Sequence, residues 1–424
     1  MANHFPMVSW ANGATIYEVN IRQYTPEGTF GAFAQHLPRL QQMGVRILWF
    51  MPITPIGQLN RLGTLGSYYA CSSYTDINPE FGTIADFKAV VQQAQALGMK
   101  VIIDWVANHT GWDHHWTKEH PDWYVKDAHG NFTEKNGWKD VIDLDYTQSE
   151  MRKAMIAAMQ FWIHTTHIDG FRCDMAHLVP LDFWMEARQQ CDTVKPLFWL
   201  AETENVPYHD AFDVSYAWDW MHQTEAYVKG TAGMSNLYNT LHNYSQYPAN
   251  SYKLFFTSNH DENSWNGTEY EKYGGAALPL AVHSFLWKGF PLIYSGQESP
   301  NKKRLSFFNK DEIEWQQPLG LAHLYTGLAG LRQTALVMQG ETFILPVNSN
   351  NVMAFMRHWQ NEVLLVMLNL SGADKQKFTV NHPWLNGAFT NPLSGFQFIF
   401  TGPTDFELQG YEYLVYHKVA TAPK

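Results

Sequence analysis

Residues 87–106, FKAVVQQAQALGMKVIIDWV, decide the fold. Phe87, Val90, Val91, Ala94 and Leu97 recur at helical spacing, Gly98 stops the helix, and MKVIIDWV follows as an apolar strand that ends in charge at Asp104. The same unit stands at 33–53, where Phe33, Leu37, Leu40 and Met43 precede Gly44 and VRILWFMPI. Working outward, six more short apolar runs follow the pattern: ATIYEVNI (14–21), IDGFRCDM (168–175), LFWLAE (197–202), FDVSYAW (212–218), KLFFTSNHD (253–261) and PLIYSGQE (291–298). Helical patterns such as SEMRKAMIAAMQFWIHTTH (149–167) lie between them. Strand alternating with helix argues for a parallel sheet, and eight such units predict an α/β fold closed as a (β/α)8 TIM barrel.

Two stretches break the repeat. After the third strand, residues 108–146 run far beyond an ordinary βα loop and are expected to form a small subdomain beside the barrel mouth. After about residue 340 the pattern changes to VMAFMRHW and EVLLVMLNL with Asn and Gly turns, as in an antiparallel β-sandwich. The expected division is therefore a barrel in two parts, 1–107 and 147–338, an inserted subdomain, 108–146, and a C-terminal β domain, 339–424.

Composition narrows the partners. Forty Asp and Glu against 29 Lys and Arg leave a formal charge of −11, which lacks the cationic excess needed for nucleic acid or an anionic membrane surface. The 17 Trp and 21 Tyr exceed what a core needs and suit the flat faces of sugars. Cys71, Cys173 and Cys191 have no CxxC spacing and read as buried free thiols. MANHFPMVSW shows no basic region followed by an apolar run, so a cytoplasmic location is expected. The most apolar stretch, 276–294, is interrupted by Pro279, His283, Lys288 and Pro291 and reads as a core helix followed by a strand, not a bilayer span.

Chemistry is expected at the carboxyl ends of barrel strands, where Asp104, Arg172, Asp174, Glu202, His260 and Asp261 fall. On a strand Arg172 and Asp174 share one face while Phe171 and Cys173 take the other. Converging carboxylates repel, and glycoside hydrolysis gives them a purpose: one attacks the anomeric carbon while another protonates the leaving oxygen, about 5–5.5 Å apart when configuration is retained. Arg172 is expected to favour an ionised Asp174, and the apolar FWLA before Glu202 to raise its pKa. A structural ion pair for Arg172 and Asp174, Glu204 in place of Glu202, and an Asp-capped turn at His260 and Asp261 are the plainer alternatives. His114 and His115 in WDHHW read as solvated loop residues rather than metal ligands.

DWVANH (104–109), GFRCDMAH (170–177), LAE (200–202) and SNHD (258–261), together with GSYYACSSYTDINPEFGT, VIDLDY and YSGQE, resemble in order and placement the marker regions of the alpha-amylase family of glycoside hydrolases, family 13 type, over roughly residues 10–310. The resemblance implies Asp174 as nucleophile, Glu202 as general acid/base and Asp261 as the carboxylate that holds ring hydroxyls. It implies Tyr69, His109, Arg172, His177 and His260 as substrate-binding residues and Asp104 as a structural partner of Arg172. Where starch-cleaving members often carry Lys-His after the nucleophile segment, this chain has His177 and Leu178. A structural calcium is expected at Asn108 and Asp143, with the Leu178 carbonyl in the place of a histidine carbonyl and no evident acidic ligands from the insertion. No cofactor is required for the chemistry. The implied activity is retaining hydrolysis of α-1,4-glucosidic bonds in starch-type glucans or maltooligosaccharides. The rivals are a transglycosylase, an α-1,6- or disaccharide-acting member, and a non-catalytic carbohydrate-binding homologue.

Overall fold

A computed structural model describes residues 5–373 and 375–419; residues 1–4, 374 and 420–424, and with them the outer ends of the first and last expected segments, lie outside the described residues. The eight apolar runs form eight parallel strands: β1 (Ile16–Val19), β2 (Ile47–Phe50), β3 (Lys100–Trp105), β6 (Gly170–Cys173), β7 (Phe198–Ala201), β8 (Val214–Tyr216), β9 (Tyr252–Phe255) and β10 (Phe290–Tyr294). They close in the order β1-β10-β9-β8-β7-β6-β3-β2. Two short strands, β4 (His109–Gly111) and β5 (Val141–Asp143), lie in the excursion after β3 and pair antiparallel, with His109 opposite Asp143.

Alternation along each strand sorts side chains into two layers. Ile47, Trp49, Ile102, Phe198, Leu200, Val214, Tyr216, Leu254 and Leu292 fill the barrel, while Leu48, Phe50, Ile103, Phe171, Cys173 and Trp199 face the helices. The helix Ile84–Ala96 buries Phe87, Val90, Val91 and Ala94, and a capping box of Thr83 and Asp86 fixes its start. The apolar stretch at 276–294 becomes a buried helix, Ala277–Leu286, followed by β10. Among the described residues no helix is long and apolar enough to cross a membrane.

The strand expected over 253–261 is shorter than that segment. The β9–β10 ladder ends at Phe255 opposite Pro291, which has no N–H to donate, and residues 256–261 continue as a loop that delivers His260 and Asp261 to the barrel mouth.

The C-terminal region is antiparallel. Strands β11 (Glu341–Ile344), β12 (Val352–Trp359), β13 (Glu362–Asn369), β18 (Tyr413–Lys418), β15 (Asn386–Thr390) and β16 (Gln397–Thr401) form one sheet in that order, and β14 (Gln376–Val380) pairs with β17 (Thr404–Leu408). Phe355 of β12 meets Trp287 of the barrel at 5.0 Å between ring centroids and His283 at 5.8 Å. One apolar cluster thereby runs from the barrel helices into this sheet.

Candidate active site

Strand register sets the site. Asp104 on β3 lies opposite Arg172 on β6, and Arg172 lies opposite Leu200 on β7, so a guanidinium projecting into the barrel reaches carboxylates at the tops of its own strand and of the strands on either side. Arg172 Nη1 donates to Asp104 Oδ1 at 2.9 Å and to Asp174 Oδ1 at 3.0 Å, and Nη2 donates to Glu202 Oε2 at 2.8 Å. Its Nε donates to the Tyr216 hydroxyl at 3.1 Å, and its plane sits 4.9 Å from the Trp49 ring. The cation is wholly buried among these anions.

Backbone geometry fixes the two carboxylates beside it. Asp174 N–H donates to the Trp105 carbonyl, and Glu202 N–H donates to the Cys173 carbonyl. Met175 takes a left-handed conformation, φ 39°, and its N–H donates to Glu202 Oε2 at 2.9 Å. Among the described residues nothing donates to Asp174 Oδ2 or Glu202 Oε1, and both side chains line one cavity of about 460 Å³.

Burial raises both acids. Desolvation lifts Asp174 to about 6; Arg172 pulls toward the ionised form, as expected, but a 6% exposed carboxyl loses more hydration than one shared guanidinium returns. Desolvation also raises Glu202, with Asp174 and Asp261 adding to the shift. For Asp261 desolvation acts upward too, but the charge and hydrogen bond of His260 outweigh it and hold the carboxyl below its ordinary range. His260 Nε2 stands 3.3 Å from Asp261 Oδ2 and 2.7 Å from the Tyr69 hydroxyl, which donates to Asp104 Oδ2 at 3.1 Å.

The same cavity is lined by Tyr69, His109 and Asp261, and Tyr69 stacks on His260 with ring centroids 5.3 Å apart. Desolvation lowers His109 to about 4, leaving it neutral. His177 stands apart: its side chain is exposed and is not part of the cavity wall, and its carbonyl accepts the Tyr208 hydroxyl. Glu204 is a structural residue. Its Oε2 accepts the Asp219 N–H at the start of helix Trp218–Val228, and its Oε1 accepts the Tyr244 hydroxyl.

Asn108 and Asp143 do not form a calcium cage. Asn108 Nδ2 donates to Asp143 Oδ1 at 3.4 Å, and Asp143 Oδ2 accepts the Lys135 N–H, whereas calcium takes six to eight oxygens. The carbonyls flanking Leu178 are taken by the Tyr208 hydroxyl, and among the described residues no group of three or more His, Cys, Asp or Glu is placed to hold a metal. Asn108, Asp143 and the Leu178 carbonyl by themselves supply fewer oxygens than calcium takes. His114 is also unlike its expectation: it is fully buried, packed between Tyr74, His115 and Trp116, with Nδ1 accepting the Trp116 N–H.

Sequence reasoning missed the cavity's other walls. Trp138 and Asp140 come from the insertion, Trp265 from the turn after Asp261, and Phe307 and Phe308 from the loop after β10. That loop is pinned by Gln23, whose Nε2 donates to the Ser306 and Asn309 carbonyls at 2.9 and 2.8 Å. Loop aromatics carry no periodicity, so no pattern marks them.

A family model described as "Alpha amylase, catalytic domain" matches residues 10–122 and 119–318. The chain is similar to alpha-amylase MalA of Haloarcula japonica, 27% identical over 389 residues covering 85% of this chain and 56% of that one. It is also similar to an alpha-1,4-glucan:maltose-1-phosphate maltosyltransferase of Rhodospirillum rubrum, 32% identical over 41% of this chain and 29% of that one. The chain thus spans about half, or less, of the length of these curated relatives. Among solved structures it resembles a noncanonic maltogenic alpha-amylase, AmyB, from Thermotoga neapolitana, with TM-score 0.88 and 30% identity over 97% of this chain and 100% of that one. An alpha-amylase from Lactobacillus plantarum gives TM-score 0.87 and 31% identity over the same shares.

Proposed function

Because the chain belongs to the alpha-amylase family of glycoside hydrolases, we propose that it hydrolyses α-1,4-glucosidic bonds in starch-type glucans or maltooligosaccharides with retention of configuration. The observation that carries the reading is the shared guanidinium. Arg172 takes one oxygen of Asp174 and one of Glu202 and leaves the other oxygen of each for the cavity.

In the first step a lone pair on Asp174 Oδ2 forms a bond to the anomeric carbon as the bond to the leaving oxygen breaks, and Glu202 gives its proton to that oxygen. In the second, Glu202 takes a proton from water, whose oxygen attacks the same carbon and releases Asp174. The raised pKa of Glu202 suits the first role, and the depressed pKa of Asp261 keeps an anion beside the developing oxocarbenium charge. Tyr69 and His109 would pack against the sugar in subsite contact, Arg172 and His260 would hold the carboxylates, and His177, outside the cavity wall, would act on longer substrates that reach the rim. No cofactor enters these steps.

Incubation with maltoheptaose and chromatography of the products tests the reading: shortened oligosaccharides are expected, and Asp174→Asn should abolish them. Cleavage undiminished in that variant would overturn the assignment. The likeness to the maltogenic enzyme supports maltose as a prominent product. Transfer to a sugar acceptor is a second reading, favoured by the likeness to maltosyltransferases and by the aromatic wall of Trp138, Trp265 and Phe307, on which an acceptor ring could stack. Products longer than the heptasaccharide would mark it.

We also propose the division into barrel (1–107 and 147–338), insertion (108–146) and C-terminal β domain (339–424), supported by the β4–β5 ladder and by the antiparallel sheet that begins at β11. A reducing, cytoplasmic compartment suits the three unpaired, buried thiols.

A further inference from the structure

Glu18 lies on β1, fully buried, and no part of the proposed chemistry uses it. Its Oε1 stands 2.5 Å from His260 Nδ1, while its Oε2 has no hydrogen-bond partner. A buried carboxylate with one bare oxygen is costly unless a cation faces the other. Hydrogen-bond bookkeeping around His260 supplies that cation. Asp104 Oδ2 accepts from Trp49 Nε1 and from the Tyr69 hydroxyl, and its Oδ1 accepts from Arg172, so every contact treats Asp104 as an acceptor. The Tyr69 proton is therefore spent on Asp104, and at 2.7 Å the Tyr69 oxygen must accept from His260 Nε2–H. Nδ1 faces Glu18 Oε1, and with Glu18 ionised that oxygen can only accept, so Nδ1 then carries the second proton.

We propose that Glu18 is a positioning residue that holds His260 as a doubly protonated imidazolium, turned so that its Nε2–H fixes the Tyr69 ring and keeps Asp261 an anion facing the cavity. The proposal rests on the reading of Asp261 and Tyr69 as substrate-facing groups. The surroundings are consistent from every side. Glu18 comes from β1, Asp104 from β3 and Asp261 from the loop after β9, against Arg172 from β6 as the other cation. The hydroxyls of Tyr69, Tyr216 and Tyr294 and the rings of Trp49 and Phe307 complete the shell. Burial works against a charged His260, but the two carboxylates outweigh it and raise its pKa well above the ordinary histidine value. The sequence reading passed over Glu18 because a single acid inside the apolar run ATIYEVNI has no motif of its own.

The test is a pH titration of the full chain labelled with 15N in its histidine rings, with the His260 signals assigned by His260→Asn, on wild type and Glu18→Gln. In the wild type both ring nitrogens are expected to stay protonated through neutral pH. In Glu18→Gln the side chain keeps its size but loses its charge, and the titration should move down by about one to three pH units. In glucan cleavage the same variant should lose about 10- to 100-fold in kcat at neutral pH with little change in KM, as partners that orient a site histidine do, and recover part of it as the pH falls toward about 6 and His260 reprotonates, before Asp174 takes up its proton. A neutral His260 in the wild type at neutral pH would overturn the proposal, as would equal titration midpoints in the two proteins. Should Glu18→Gln fail to fold, the wild-type nitrogen shifts decide alone. A wild type that cleaves no glucan would defeat the functional reading while leaving the titration result standing, so the two failures are distinguishable.

Discussion

At the scale of single residues the site is governed by hydration lost. Asp174 titrates near 6 because burial outweighs Arg172, and it must be ionised to attack, so kcat/KM should fall as pH drops below about 6. A pH–rate profile with its acidic midpoint near the ordinary carboxylate value of about 4 would contradict this. The sign of the stability effect follows. Between the unfolded value of about 4 and the folded value of about 6 the native state binds more protons than the unfolded state, so this group costs stability as pH rises through that window. Asp174→Asn, which removes that charge but keeps an acceptor for Arg172, should therefore raise the melting temperature at neutral pH by about 2 °C or more while abolishing turnover. Thermal melts of the two proteins at acid and neutral pH check both halves, since the gain should vanish in acid. The sequence named Asp174, Glu202 and Asp261 as strand-end carboxylates. It could not reveal which influence wins at each, because desolvation depends on atoms brought in from other strands.

At the scale of elements, Gly170 shows why IDGFRCDM carries a glycine. A Cβ there would lie 2.1 Å from the Phe198 carbonyl oxygen of the adjacent β7, so Gly170→Ala forces the β6–β7 pair apart just below the residues that aim Asp174 and Glu202. Overpacking of this kind costs about 1–3 kcal/mol, and the variant should show a lower urea midpoint and reduced kcat. Unchanged unfolding would show that the strands yield without cost. The existence and order of the barrel strands were legible because each is a short apolar run, two of them following a helix-stopping glycine and several ending in charge. The end of β9 was not, since the expected strand runs on to the charge at Asp261, whereas the ladder stops opposite Pro291 on a neighbouring strand.

At the scale of the whole molecule, barrel and C-terminal sheet share one apolar core, with Phe355 packed on Trp287 and His283. Phe355→Ala should cost about 3–5 kcal/mol, lowering in a single calorimetric transition the temperature at which both the β-sheet and the distant active site are lost. Two separated transitions, with barrel activity surviving the first, would contradict a shared core. Because Asn108 and Asp143 bond to each other and to the chain rather than around an ion, chelation with EDTA is expected to leave melting temperature and activity unchanged; a lowered melting temperature restored by calcium would restore the expectation read from the family. The sequence by itself determined the repeat, the closed barrel and the three carboxylates at strand ends, because hydrophobic period and strand-end charge are local properties of the chain. Tertiary structure alone decided that Arg172 spans Asp174 and Glu202, that Glu18 faces His260 and that a loop held by Gln23 brings Phe307 to the cavity, because each is a contact between residues far apart in sequence whose hydration and charge are set only when the barrel closes.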